Sequence, residues 1–178
     1  MNRTIAVFGA SQSLPGDAHF QEAVLCGELL ARAGFAVATG GYAGTMEAVS
    51  QGARLAGGHV IGVTAPTVFP GRTGANEHVI EERQATSLVA RIDRLVEDTD
   101  GAIALWGSLG TATELLVAWN IAFVAPFSGG TSKPVVAVGE PWASIVPQLE
   151  ESLGTDRGIV TVTDNVADAV EYMKTALK

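Results

Sequence analysis

The 178-residue chain has a single cysteine, Cys26, so it can form no internal disulfide. A lone free thiol is typical of proteins in a reducing compartment, and we expect the protein in the cytoplasm. Cys26 lies within an amphipathic segment, where a buried structural thiol is expected rather than a nucleophile. The start, Met1-Asn-Arg-Thr-Ile, leads directly into an apolar strand-like run, so no signal peptide is expected. No apolar run has the length expected of a membrane-spanning helix, so we expect no membrane association.

Basic residues are also scarce. Eleven lysines and arginines stand against nineteen acidic residues, which gives a formal net charge of −8. Because no basic stripe is present to displace counterions, we expect no nucleic-acid partner. The lysines are Lys133, which precedes a strand, and Lys174 and Lys178 in the C-terminal tail. None is placed to form a Schiff base in a pocket, which argues against a pyridoxal phosphate enzyme.

Two common nucleotide-binding motifs are missing. The dinucleotide fingerprint needs Gly-x-Gly-x-x-Gly after the first strand and an acid after the second, where this chain has Gly9-Ala-Ser-Gln-Ser-Leu-Pro-Gly16 and Thr39-Gly40. A P-loop needs Gly-Lys-Ser/Thr at the start of a helix, whereas Gly130-Thr-Ser-Lys133 is followed by proline and a strand. Neither an NAD-dependent dehydrogenase nor a P-loop kinase or ATPase is expected. We also expect no metal, because the three histidines lack metal-ligand spacing: His19, His59 and His78. No cofactor is expected either.

Apolar runs alternate with amphipathic segments along the chain, the pattern of parallel strands covered by helices on both faces. The predicted strands are 4–8, 35–39, 59–63, 78–82, 101–105, 134–138 and 159–162. The predicted helices are 18–33, 46–56, 86–98, 111–124, 142–153 and a last one from Asn165. The long segment 64–77, rich in proline and glycine, is expected to form a loop that covers a site. We therefore predict one α/β domain over residues 1–178, with a Rossmann-like, doubly wound parallel sheet.

Three of the predicted strand-to-helix turns are rich in glycine. The first is Gly9-Ala-Ser-Gln-Ser13, and the others, Gly41-Tyr-Ala-Gly-Thr45 and Gly107-Ser-Leu-Gly-Thr111, share the pattern Gly-x-x-Gly-Thr. Such turns present free backbone amides to an anion, and ligands of open α/β sheets bind at this edge. We therefore predict that the three turns line one pocket, with a phosphate on the amides of 107–111. The candidate binding residues are Ser11, Gly41, Tyr42, Gly44, Gly107, Ser108, Gly110 and Thr111.

Glu114 is expected to project from the first turn of the helix that follows the third glycine turn. A carboxylate beside a bound phosphate suggests chemistry at that ligand. Thr111-Ala-Thr-Glu114 is also a capping box, with Thr111 as N-cap and Glu114 bonded back to its amide. Taken alone the motif favours the cap, whereas the predicted pocket favours a catalytic carboxylate.

Arg91, on the predicted helix 86–98, has no acidic residue three or four positions away. It falls at the margin of an apolar stripe, so its side chain is turned toward the sheet. A guanidinium there needs an acceptor from elsewhere, such as Glu114 or a ligand phosphate. The alternative is that the stem of Arg91 covers apolar surface while its charge reaches water.

Together these residues resemble the Lonely Guy (LOG) family, once described as lysine decarboxylases, and the neighbouring molybdenum-cofactor carrier-like proteins. The resemblance extends from Ile5 to about Val138. Gly40-Gly-Tyr-Ala-Gly-Thr-Met46 is similar to the family element Gly-Gly-Gly-x-x-Gly-x-Met. Trp106-Gly-Ser-Leu-Gly-Thr-Ala-Thr-Glu114 is similar to the signature Pro-Gly-Gly-x-Gly-Thr-x-x-Glu, and Arg91 falls at the catalytic arginine of the family.

The resemblance implies a metal-free phosphoribohydrolase, which cleaves a nucleoside 5′-monophosphate to free base and ribose 5-phosphate. Glu114 would stabilise positive charge on the sugar and orient water, and Arg91 would hold the substrate and Glu114. The ring of Tyr42 would contact the base or the sugar. A homodimer is also implied, because the apolar segment 115–124 needs cover on both sides. The alternative cover for that segment is the loop 125–133 of the same chain.

The chain departs from the family pattern beside these residues. Trp106-Gly107-Ser108 stands where the family has Pro-Gly-Gly, and Ile92 stands where a lysine usually follows the arginine. The retained Arg91 and Glu114 keep hydrolysis available. The alternative function is that of a nucleotide- or molybdenum-cofactor-binding carrier that keeps the pocket without turnover.

Overall fold

The computed structural model describes residues 3–72 and 74–178, and these residues form one parallel sheet between two layers of helices. The strands are β1 (Thr4–Phe8), β2 (Ala36–Thr39), β3 (Val60–Thr64), β4 (Glu81–Gln84), β5 (Gly101–Ala104), β6 (Val135–Val138) and β7 (Val160–Thr163). The helices are α1 (Ala18–Arg32), α2 (Thr45–Leu55), α3 (Leu88–Glu97), α4 (Leu109–Val124), α5 (Trp142–Leu153) and α6 (Val166–Ala176). A short 3₁₀ turn, Ala125–Ser128, follows α4.

The apolar strands form the middle of two cores. On β1, Ile5 and Val7 pack with α1, α2 and α6, whereas Ala6 and Phe8 pack with α3, α4 and α5. Side chains alternate across a strand, so a strand covered on both faces must be apolar at every position. This arrangement confirms the predicted Rossmann-like, doubly wound fold.

The strand order is β4-β3-β2-β1-β5-β6-β7, and each strand is parallel to its neighbour. From β1 the chain builds outward to β4 on one side, and from β5 it builds outward to β7 on the other. The turns after β1 and β5 therefore diverge and open a crevice at the carboxyl edge of the sheet.

Most predicted bounds lie within one or two residues of the observed ones, and two differences have an identifiable physical basis. β4 lies at 81–84 rather than 78–82, and Ile80 belongs to the preceding loop. β4 pairs only with β3 at the sheet edge, so its polar residues need no apolar run. α4 begins at Leu109 rather than 111, with Ser108 as its N-cap.

By length and composition alone, the segment Leu109–Ser128 could cross a membrane. This differs from the expectation that no apolar run in the sequence is long enough to do so. In the structure this segment covers one face of the sheet. Leu115, Ala118 and Ala122 of α4 are buried in the core shared with α3 and α5.

The helices α1 and α2 approach each other through glycines. A Cβ atom on Gly27 would lie 2.0 Å from the carbonyl oxygen of Val49, and one on Gly52 would lie 1.9 Å from the carbonyl oxygen of Val24. Only glycine permits this approach of two helix backbones. The close packing places the N-terminus of α2 against the turn after β1.

Gly27→Ala is therefore expected to lower the free energy of unfolding by about 1–3 kcal/mol, because the helices must separate. Alanine is by itself a better helix former by about 1 kcal/mol, so helix propensity alone predicts the opposite sign. Urea denaturation measures the difference. Gly110→Ala is the control, since no atom lies within 4 Å of a Cβ there, and it should leave stability unchanged or raise it. A Gly27→Ala protein as stable as wild type would contradict the packing.

Candidate functional site

A cavity of about 220 Å³ lies at the carboxyl edge of the sheet, in the crevice between the turns after β1 and β5. Its walls come from the first turn, the N-terminal half of α4, α3, and the loop between β3 and β4. It brings together six of the sequence-predicted residues, namely Ser11, Arg91, Ser108, Gly110, Thr111 and Glu114.

Hydrogen bonds join the three glycine turns to one another. The amide of Ala10 donates to the carbonyl of Trp106 at 3.3 Å, and the amide of Thr45 donates to the carbonyl of Ala10 at 2.8 Å. The hydroxyl oxygens of Ser13 and Thr45 lie 2.9 Å apart. These hydrogen bonds hold the backbone of the first turn against the other two turns.

The N-terminus of α4 faces this cavity with free amides. Among the described residues, no acceptor bonds the backbone N–H groups of Leu109 and Gly110. The side chain of Thr111 folds back and its Oγ1 accepts from the amide of Ser108 at 3.3 Å. Gly107 makes room for this, since a Cβ there would lie 2.1 Å from Oγ1 of Thr111. Free amides and the helix dipole make this end suitable for an anion.

Arg91 is buried, with 6% of its surface exposed. Its Nε donates to the carbonyl of Val63 at 2.8 Å, its Nη2 to the carbonyl of Gly40 at 3.0 Å, and its Nη1 to Oε1 of Glu114 at 3.3 Å. The guanidinium occupies the place of a side chain at Gly40, where a Cβ would lie 1.7 Å from Nη2. The structure therefore supplies the distant acceptor that the sequence required, and the alternative in which the charge reaches water is wrong.

Glu114 is also buried, with 9% of its surface exposed. Burial raises the pKa of its carboxyl from 4.5 to about 7, and the positive charge of Arg91 opposes that shift. Burial in turn lowers the pKa of Arg91, although a guanidinium stays protonated in proteins. A carboxyl with a pKa near neutrality, at the wall of a cavity, is typical of an acid–base group.

The capping-box alternative for Glu114 is wrong. Since α4 begins at Leu109 with Ser108 as N-cap, Thr111 is the third helical residue and Glu114 lies in the second turn. At that position the carboxylate points across to α3 and pairs with Arg91. The sequence motif misled because the helix starts two residues earlier than its pattern indicates.

Four predicted binding residues do not line the cavity. Gly107 supports Thr111 from behind, and Gly41 and Gly44 shape the second turn with φ values of 76° and 75°. Tyr42 is buried, and its hydroxyl accepts from the amide of Ala65 at 2.8 Å. These residues therefore support the wall.

The loop between β3 and β4 contributes Phe69 and Arg72 to the cavity. The loop that was expected to cover a site thus lines this cavity with its described residues, and Thr73 lies outside them. The sequence did not identify these two side chains, because proline and glycine mark a loop without showing where its side chains point. Sequence reasoning also missed further lining residues, whose apolar pattern predicts only core: Met46, Leu88 and Ile92.

Trp106 stands where the related signature has proline, and its indole turns away from the cavity. It stacks on the ring of His19 with centroids 4.5 Å apart and planes 5° apart. This stack joins α1 to the turn after β5. The large side chain therefore leaves the cavity open.

Comparisons with known proteins agree with this fold. A cytokinin riboside 5′-monophosphate phosphoribohydrolase of Mycobacterium tuberculosis is 33% identical over 161 residues, which are 80% of this chain and 82% of that protein. A probable cytokinin riboside 5′-monophosphate phosphoribohydrolase of Oryza sativa subsp. japonica is 37% identical over 120 residues, 66% of this chain and 52% of that protein. The chain thus spans about half the length of the rice relative.

Among solved structures, the molybdenum cofactor binding protein of the phototrophic bacterium Rippkaea orientalis superimposes with a TM-score of 0.80 and 25% identity. The match covers 100% of this chain and 99% of that one. The family model described as the SLOG cluster4 family matches residues 2–169. These matches confirm the resemblance to LOG proteins and molybdenum-cofactor carriers, and the chain belongs to the SLOG cluster4 family.

Proposed function

We propose that the protein is a phosphoribohydrolase that cleaves purine nucleoside 5′-monophosphates to free base and ribose 5-phosphate. The observation that carries the proposal is the buried pair of Glu114 and Arg91, in one cavity with the free amides of α4. The names of the relatives support the substrate class, since they act on cytokinin riboside 5′-monophosphates.

The N-terminus of α4 is the proposed phosphate site. The amides of Leu109 and Gly110 and the hydroxyl of Ser108 would donate to the phosphate oxygens, and Ser11 also lines the cavity. Binding through backbone amides leaves the ribose beside Glu114, which lies one turn further along the same helix.

Glu114 would then act on the glycosidic bond. The bond from C1′ to the base nitrogen breaks with its electron pair going to the base, and positive charge develops on the ribose. An ionised carboxylate stabilises that charge and accepts a proton from the water whose oxygen bonds to C1′. The departing base takes up a proton from solvent, and Glu114 returns its own proton to solvent. A pKa of about 7 keeps a substantial fraction of Glu114 ionised at neutral pH.

Arg91 is proposed to position Glu114. Two of its nitrogen atoms donate to the backbone carbonyls of Val63 and Gly40, and the third to Glu114. Too few N–H groups of the guanidinium remain free for a bidentate hydrogen bond to the substrate. The expected role in holding Glu114 is therefore favoured over direct binding of phosphate.

A second candidate function is that of a carrier that binds its ligand without turnover. The full-length superposition on the molybdenum cofactor binding protein favours it. A panel of nucleoside monophosphates, analysed by chromatography for released base, separates the two functions. Release of base supports the hydrolase, and binding without release across the panel supports the carrier.

The cytoplasm is the compartment that we propose. The thiol of Cys26 is fully buried in α1, and burial raises its pKa to about 12. It is thus the structural thiol expected from the sequence. A free thiol is typical of reducing compartments.

Glu114→Gln and Glu114→Ala are expected to reduce turnover of the substrate found in the panel by roughly 10²-fold or more. The loss should fall on kcat, because the proposed phosphate contacts are made by backbone amides that neither change removes. Steady-state kinetics and equilibrium nucleotide affinity give the two readouts. Glu151→Gln, which removes an exposed carboxylate on α5 outside the cavity lining, is the control. Turnover within a few-fold of wild type in either Glu114 variant would remove Glu114 from the mechanism.

The protonation of Glu114 also predicts a pH-dependent stability. Between pH 4.5 and about 7 the folded protein keeps a proton that the unfolded chain has released, so rising pH destabilises the wild type. Glu114→Gln has no such proton. Its unfolding free energy relative to wild type should therefore rise by about 2–3 kcal/mol between pH 5 and pH 8.

Urea denaturation of both proteins at the two pH values measures this difference, and the remaining titrating groups cancel because they are common to both. A difference that stays constant with pH would show that Glu114 titrates in its ordinary range.

We also propose a homodimer formed through α4. Its outer face carries Leu109 and Leu116 and continues to Val124 and Phe127, with 83% of Leu109 and 78% of Phe127 exposed. The loop after α4 leaves this stripe uncovered, so the alternative of cover within one chain is not favoured. A contiguous apolar face of this kind is typical of an interaction surface.

Leu116→Glu is expected to convert a dimer to a monomer in light scattering at micromolar protein, since it places a charge in the apolar stripe. Leu55→Glu is the matched control, because Leu55 is 78% exposed at the far end of α2. A monomeric wild type at this concentration would contradict the dimer.

A further inference from the structure

Arg72, in the loop between β3 and β4, is held against two aromatic rings. Its guanidinium carbon lies 4.6 Å from the ring centroid of Tyr42 and 4.8 Å from that of Phe69. The two rings meet edge to face at 77°. Cation–π attraction to both rings holds the guanidinium in place and leaves its N–H groups as the part that can bind a ligand.

The ring of Tyr42 is itself fixed. Its hydroxyl accepts from the amide of Ala65, and its carbonyl accepts from the side-chain amide of Asn76 at 3.0 Å. The support beneath Arg72 therefore spans the second glycine turn and both ends of the loop. Arg72 is preorganised, so little conformational entropy is lost when it binds.

The N–H groups of Arg91 donate to protein acceptors, whereas those of Arg72 have no such acceptor among the described residues. Within residues 3–72 and 74–178, no carboxylate lies within 4.0 Å of the Arg72 guanidinium, and no side-chain hydrogen bond from it is formed. Arg72 nevertheless lines the cavity and is half-buried. A guanidinium in that place needs acceptors from water or from a ligand.

The position of Arg72 matches the base of a bound nucleotide. Along the sheet edge the proposed phosphate site follows β5. Arg91 bonds to Glu114 and to the ends of β2 and β3, and the guanidinium of Arg72 lies against Tyr42, in the turn after β2, and Phe69, in the loop after β3. From β5 there are two strand spacings to β2 and three to β3, about 10 and 14 Å. A nucleoside monophosphate places its phosphate, ribose and base in this same order.

We propose that Arg72 selects the base, and that the preferred ligands are 6-oxopurine nucleoside monophosphates rather than adenine nucleotides. The inference rests on the proposed function in taking a nucleoside monophosphate as the ligand. A 6-oxopurine presents two acceptors, O6 and N7, on one edge, and a guanidinium can donate to both. Adenine presents an amino donor in place of O6, which faces the arginine donors without a hydrogen bond.

The test compares affinities for guanosine, inosine and adenosine 5′-monophosphates and for ribose 5-phosphate, measured by calorimetry. Every protein carries Glu114→Gln so that the ligand survives the titration. The parent should bind the two 6-oxopurine nucleotides about 5- to 150-fold more tightly than the adenine nucleotide. Arg72→Gln should reverse that order, because a glutamine amide pairs with the N6 and N7 edge of adenine. Arg72→Lys should lose the preference, since a lysine lacks the planar fork.

Ribose 5-phosphate separates base recognition from phosphate binding. Its affinity should be the same in all Arg72 variants, and Arg54→Gln, an equal charge change at the opposite end of α2, should keep the parent selectivity. Equal binding of adenine and 6-oxopurine nucleotides by the parent would overturn the inference. So would an Arg72→Gln protein that loses all ligands equally, ribose 5-phosphate included, because Arg72 would then be a phosphate ligand.

The same experiments distinguish a failure of the proposed hydrolysis from a failure of base recognition by Arg72. Arg72-dependent selectivity in a protein whose wild type releases no base would uphold base recognition and overturn only the hydrolase. If no nucleoside monophosphate binds, both proposals are overturned.

Discussion

The ion pair between Arg91 and Glu114 depends on most of the elements around the cavity. The guanidinium is satisfied only because the carbonyls of Val63 and Gly40, at the ends of two adjacent strands, point at it. It has room only because Gly40 lacks a side chain. The pair thus joins α3 to α4 across the edge of the sheet, and it fixes the carboxylate at the wall of the cavity.

Burial of such a pair is costly, since both charges lose their hydration. An apolar pair of the same size would hold α3 against α4 without that cost. The raised pKa of Glu114 shows that desolvation outweighs the attraction of Arg91 at this carboxyl. A buried ion pair at a cavity, beside a helix N-terminus suited to an anion, is typical of a functional site.

The two arginines at the cavity are held in different ways. Arg91 is committed to protein acceptors, whereas Arg72 is held by the rings of Tyr42 and Phe69 with its donors available. Tyr42 therefore supports the side chain of Arg72, although the sequence suggested that Tyr42 would contact the ligand itself. The glycines around Tyr42 reveal the turn in the sequence. The direction of the Tyr42 side chain depends instead on Ala65 and Asn76, which belong to the loop between β3 and β4.

The sequence by itself determined the doubly wound sheet, because strands covered on both faces must be apolar throughout and glycine turns must separate them from helices. It also identified Arg91 as a cation in need of a distant partner, since helix periodicity shows which local partners are missing. Only the tertiary structure decided that Glu114 is that partner and not a helix cap. The sequence of residues 111–114 fits a helix cap and also fits a carboxylate that pairs with another helix. The structure distinguishes the two because α4 begins at Leu109 and because α3 presents Arg91 to Glu114. The placement of the Arg72 side chain at the cavity was likewise decided only in three dimensions, because the direction of a loop side chain depends on contacts with residues far away in the chain.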